Sequence, residues 1–203
     1  MSIANRVNLY TLDVFTTIID GINVDLIAKE IKDFSGDIPH VKDYTPAHSF
    51  YEDRTYPFEK PECAKLIGKI ESAVSEIVHK EMEIDSVWTL TLEKYQAVSA
   101  HSHKVNNHIY PEEYYSISYY INAPVNSAEL IFITNHCSIL EKTSSIKPET
   151  GMLIVFNSFL THMTNRHYND EPRIVISANL SPKNPNLTIN PDWSAYKYDR
   201  IES

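Results

Sequence analysis

No run of apolar residues in this chain approaches the roughly 18 that a bilayer-spanning helix needs, so no membrane segment is expected. Residues 1–8 lack the basic-then-apolar pattern of a secretory signal, and none is expected there. Cysteine is scarce. Cys63 and Cys137 stand far apart and in no CxxC pair, which leaves room for one disulfide at most and makes free thiols in a reducing compartment the expectation. Basic stripes are missing too. With 18 Lys and Arg against 27 Asp and Glu, the net charge is −9, which speaks against binding along a phosphate backbone. Neither a nucleic-acid nor a membrane partner is expected, and no internal repeat is visible. The expectation is a soluble cytoplasmic protein.

What is present fits one domain over residues 1–203, with 1–85 as an N-terminal support, 86–181 as the core and 182–203 as a tail. Residues 7–19 are rich in β-branched and aromatic residues and read as extended. Asn23 can cap a helix running to about Phe34, since Val24, Ile27 and Ile31 recur at helical spacing. Pro39, Pro46 and Pro57 make 37–60 irregular. Pro61 opens a second helix to about Glu81, with Cys63, Ile67, Ile70, Val74, Ile77 and Val78 as its apolar stripe.

After Asp85 short β-rich runs follow in close order, at 87–97, 114–122, 129–134, 152–156 and 173–180, divided by turn residues. Helices first and many short strands after predict a mainly β fold, a jelly-roll core buttressed by N-terminal helices. The aromatic tail is expected to dock on that core. On the last strand, alternation puts Arg173, Val175, Ser177 and Asn179 on one face and Ile174, Ile176, Ala178 and Leu180 on the other. The second set should pack outward, the first should look into the barrel. Tyr114, Ser116, Ser118 and Tyr120 share a polar face that would line the same cavity.

Chemistry is concentrated in four residues. His101-Ser-His103 is followed 59 residues later by His162, and Arg173 comes eleven residues after that. In a strand, i and i+2 point to the same side, so His101 and His103 can face one ion, with His162 supplied from a neighbouring strand. Imidazole suits iron, zinc, copper or nickel, so ligand type alone leaves the metal open. A buried guanidinium needs an anion, and a carboxylate is its best geometric match, with Ser177 able to add a hydroxyl. His40, His48, His79, His136 and His167 lack such a context and read as surface or packing residues. His108 is a candidate support in a polar loop.

With these residues in place, the chain resembles the iron(II)- and 2-oxoglutarate-dependent oxygenases, nearest to their prolyl-hydroxylase-like and phage-type members. The likeness runs from Trp88 to Ser181 and rests on Tyr119-Tyr-Ile-Asn-Ala-Pro124, on Gly151-Met-Leu-Ile-Val-Phe156 leading to His162, and on Arg173 through Asn179. The 61-residue spacing from His101 to His162 also fits. The resemblance implies a double-stranded β-helix of cupin-like form, iron(II) and 2-oxoglutarate as cofactors, and dioxygen as partner. It implies His101 and His162 as iron ligands, and Arg173 and Tyr120 on the far carboxylate of 2-oxoglutarate. Tyr95 would be a co-substrate or substrate contact, and Ser177 a further co-substrate contact. The reaction implied is hydroxylation of a protein side chain, such as prolyl, or of a small molecule. Phage-type kinship would also allow a virus-encoded protein acting in a host cytoplasm.

One position departs from the pattern. The family carries His-x-Asp or His-x-Glu, and here the carboxylate place holds His103. His103 can ligate, Glu112 or Glu113 can substitute from the loop at 104–113, or the centre can be inactive; ligation by His103 is the preferred expectation. That polar loop is expected to form a lid or rim. A non-catalytic jelly-roll module and a cupin-like metalloenzyme that ignores 2-oxoglutarate are the alternative functions.

Overall fold

The computed structural model describes residues 13–35, 48–49, 58–103, 113–137 and 140–183. Most of the expected irregular stretch, the loop at 104–112 with His108 and Glu112, and the tail from 184 lie outside these residues. The elements in order are β1 (Val14–Ile18), α1 (Val24–Ser35), β2 (His48–Ser49), α2 (Pro61–Val78), β3 (Met82–Leu92), β4 (Tyr115–Asn122), β5 (Leu130–Cys137), β6 (Leu140–Ile146), β7 (Met152–Asn157), β8 (His162–Thr164) and β9 (Arg173–Pro182). Two sheets form, one in the order β1-β7-β4-β9-β3-β2 and the other β6-β5-β8, with every pairing antiparallel. This is the jelly-roll arrangement, with both helices ahead of most of the strands.

Period-2 alternation divides the larger sheet as its sequence predicts. Ile174, Ile176, Ala178 and Leu180 of β9 join Ile117, Tyr119 and Ile121 of β4 and Leu153 and Val155 of β7 in one buried cluster. The helices complete it with Ile27 and Ile31 of α1 and Cys63, Leu66, Ile70 and Val74 of α2. The opposite face contributes Tyr120, Ile154, Phe156 and Val175, which meet Leu130 and Phe132 of the smaller sheet. The helices therefore buttress one face, and the space between the sheets belongs to the other.

The helix ends follow from local chemistry. Asn23 caps α1 as expected: its Oδ1 accepts from the Leu26 N–H at 3.1 Å, and its own N–H donates to Glu62 Oε1 at 2.8 Å, tying the two helix starts together. The α2 helix stops at Val78, short of Glu81, because His79 turns left-handed at φ 54° and the N–H groups of His79 and Lys80 bond back to the carbonyls of Glu76 and Ser75. Cys63 is fully buried in the helix-side core, and its thiol is pushed up to about 12, mainly by desolvation.

Two strand expectations need correction. The run expected at 87–97 starts at Met82, where β3 begins pairing with β9, and ends at Leu92. It ends there because Glu93 and Gln96 close a turn on each other and Tyr95 adopts φ 71°. The run expected at 129–134 continues to Cys137 and forms a hairpin with β6, a strand with no expectation behind it. Leu140–Ile146 is polar through its middle, and Thr143, Ser144 and Ser145 lie exposed on a sheet edge, so no alternating pattern announced it.

Candidate metal centre

The sheets bring His101, His103 and His162 together. His162 opens β8 and exchanges both backbone hydrogen bonds with His101, at 3.0 and 2.8 Å, in an isolated bridge. Here the expected geometry is corrected: 102 and 103 are not in a strand. His103 reaches the same point because its N–H donates to the Ser158 carbonyl at 2.9 Å, which turns the chain back over the site. Ring centroids lie 4.3 Å apart for His101–His162, 5.0 Å for His103–His162 and 5.3 Å for His101–His103. One nitrogen of each ring lies within 4.8 Å of the others, a group able to hold a single metal ion.

Which nitrogen is free follows from the hydrogen bonds. Nδ1 of His101 lies 2.8 Å from the Ser99 carbonyl, and Nδ1 of His162 lies 2.9 Å from that of Leu160. A carbonyl can only accept, so each Nδ1 carries its proton and donates, leaving the Nε2 lone pair outward. Nδ1 of His103 lies 2.5 Å from Asn179 Oδ1 and 2.9 Å from Ser116 Oγ, with the same consequence. Outer partners that fix ring orientation and tautomer in this way are the usual companions of metal-binding histidines.

Burial favours the neutral form of two of the rings, His162 and His103. His162 is 6% exposed, its ring beside Phe156 at 4.8 Å, and desolvation brings its pKa down to about 3. Desolvation also lowers that of His103, whose neighbour is the Trp88 ring at 5.3 Å. An unfolded imidazole takes its proton near 6.5, whereas folded His162 refuses it until about 3. Chelator-treated protein should therefore lose stability as pH falls from about 6.5 towards 3, at up to about 1.4 kcal/mol per pH unit from this residue. Urea midpoints measured at several pH values across that window should fall less steeply in His162→Gln than in the native protein.

Arg173 begins β9 and is 2% exposed. Its Nη2 donates to the Tyr120 hydroxyl at 3.1 Å, and its Cζ sits 4.9 Å from the Tyr120 ring centre. Nε and Nη1 are buried, and among the described residues neither has a hydrogen-bond partner and no carboxylate pairs with this cation. Val175 and Ser177 lie on the same strand face between Arg173 and Asn179, and Ser177 is 8% exposed opposite Ser118. Tyr95 stands apart from this group, 60% exposed with its ring edge-on to Tyr168 at 6.1 Å.

His40 lies outside the described residues, as do the side chains of His48 and His136. Glu113 does not take the third-ligand place, because its Oε1 is paired with Lys80 at 2.8 Å. His167 is a packing residue, fully buried between the Ala128 N–H and the Glu171 carbonyl. His79 is an exposed helix end. Sequence reasoning placed Ser116 and Asn179 on inward faces without giving them a role, and it missed Ser158, whose place in a turn carried no signal.

No protein-family model matches this sequence, and no curated protein matches it. Solved structures do. HygX from Streptomyces hygroscopicus, with nickel and 2-oxoglutarate bound, superposes with a TM-score of 0.65 at 12% identity, over 85% of this chain and 84% of that one. SnoN, a non-heme α-ketoglutarate-dependent epimerase of nogalamycin biosynthesis, gives 0.64 at 11% identity, over 83% and 77%. A prolyl-4-hydroxylase from Pseudomonas putida gives 0.59 at 11%, over 86% and 95%. At these identities the likeness establishes architecture: the chain has the jelly-roll fold of the iron- and 2-oxoglutarate-dependent oxygenases.

Proposed function

We propose that this chain is an iron(II)- and 2-oxoglutarate-dependent oxygenase, with iron held by His101, His103 and His162 and the far carboxylate of 2-oxoglutarate held by Arg173. One observation carries the reading. A buried guanidinium keeps two nitrogens without partners among the described residues, on the inward face of the strand that also supports His103. A buried cation left in that state is costly, and a diacid entering the space between the sheets would relieve it. The donor set fits the metal as well, since three neutral imidazoles suit iron(II) and leave up to three positions of an octahedral ion open.

When bound, iron(II) with 2-oxoglutarate would supply an oxidant drawn from dioxygen, with succinate and carbon dioxide as the other products. The chain's own residues would bind, orient and exclude water. Tyr120 would share the carboxylate with Arg173 and hold the guanidinium in plane. Ser177 would add a hydroxyl along the same face. Phe132 and Phe156 would keep water from the buried side of His162. Tyr95, exposed beside Tyr168, suits a contact with the primary substrate at the rim better than one with the buried diacid.

Hydroxylation is the proposed outcome, of a protein side chain such as prolyl or of a small molecule, in a reducing cytoplasm. Two neighbours support that range: one is named a prolyl-4-hydroxylase, and HygX has been solved with hygromycin B bound. The test is succinate formation by chelator-treated protein reloaded with iron(II) and given 2-oxoglutarate and dioxygen. Metal-dependent turnover that ignores 2-oxoglutarate would favour a cupin-like metalloenzyme. Metal and 2-oxoglutarate both failing to bind would leave a non-catalytic module.

A further inference from the structure

The surroundings of His103 are built for an imidazole. Asn179 presents Oδ1 to the ring because its Nδ2 is already committed, donating to Ser86 Oγ at 3.1 Å. Ser116 Oγ lies 2.8 Å from that Oδ1, 2.9 Å from His103 Nδ1 and 2.9 Å from Ser158 Oγ, so one buried hydroxyl joins all three. Ser116 and Ser158 are fully buried, and the Ser158 carbonyl also takes the His103 N–H. A polar cluster this deep is tolerated only when its members satisfy one another, and here the satisfaction runs through the ring.

We infer that Asn179 is a positioning residue which, with Ser116 and Ser158, locks the tautomer and angle of His103 and makes it the third ligand of a three-histidine centre. The inference rests on the metal reading of the triad. The amide is neutral, so the cradle does not return the negative charge that a carboxylate ligand would have brought; donors and their supports are neutral together.

Cobalt(II) added to chelator-treated full chain reads this directly, through affinity from chelator competition and through the visible ligand-field spectrum. Asn179→Leu removes the acceptor at Nδ1 and should weaken cobalt binding about 10- to 100-fold, with a changed spectrum. Asn179→Asp keeps an acceptor there and should bind at least as tightly as the native protein, with the native spectrum. Ser116→Ala should weaken binding in the same direction, and Asn179→Ala takes the place of Asn179→Leu if the latter does not fold. Native affinity and an unchanged spectrum in the folded variants would overturn the role of Asn179 while leaving the triad as a metal centre. No cobalt binding by the native protein would overturn both.

Discussion

Changing His162 to alanine is expected to abolish metal binding and, with it, succinate formation. This ring is the most buried of the three and the one closest to both others, with centroids at 4.3 and 5.0 Å. Among the described residues no other donor is placed to substitute for it, since the only group of three or more possible ligands there is the triad itself. Losing the partner of a ligand costs metal affinity about 10- to 100-fold, and losing the ligand should cost more than that. Backbone structure should survive, because the bridge to His101 is made by peptide groups, not by the ring. Calorimetry or chelator competition measures the first effect and product formation the second. His79→Asn makes the control: that exposed residue ends α2 in a left-handed conformation asparagine tolerates, and metal affinity should be unchanged. A His162→Ala protein that still turns over 2-oxoglutarate would sink the proposed centre.

The parts of this molecule legible from sequence are those governed by a short period. Alternation on β4 and β9 assigned Tyr120 and Val175 to one side and Ile117, Ile174 and Ile176 to the other, and the two buried clusters divide them that way. The α2 stripe was legible for the same reason, although Leu66 and not Ile67 fills its deepest place, a matter of helix rotation that spacing alone does not set. The histidines were found by residue type and spacing, but their convergence was expected from strand geometry. It arises from a backbone bridge at His101 and a turn held by Ser158. Contacts between residues far apart in the chain, such as Asn179 with His103 across 76 positions, have no local signature at all. The hairpin strand β6 was hidden because an exposed edge needs no apolar alternation.

Arg173→Met is expected to move two measurements in opposite directions. Without co-substrate, the native protein keeps a 2%-exposed guanidinium that, among the described residues, has one hydrogen bond, to Tyr120, and two idle nitrogens. Methionine has a comparable length and no charge, so it can fill the space beside the Tyr120 ring and Val175 without the desolvation cost. Replacing even a buried ion pair by packed apolar side chains is often neutral or stabilising by about 1–4 kcal/mol, and a buried cation without its anion has less to lose, so chelator-treated Arg173→Met should unfold at higher urea than the native protein. In the presence of metal and 2-oxoglutarate the order should reverse. The diacid's far carboxylate would then enter a site with no cation to meet it, a loss of about 3 kcal/mol or more, which is over 100-fold in affinity. Saturating 2-oxoglutarate should accordingly raise the unfolding midpoint of the native protein and leave that of the variant where it was. A surface role for the arginine would produce neither the gain nor the loss, and a purely structural one would produce a loss in both conditions. Only a cation held in readiness for an anion gives a protein that is steadier without it when empty and weaker without it when the ligand arrives.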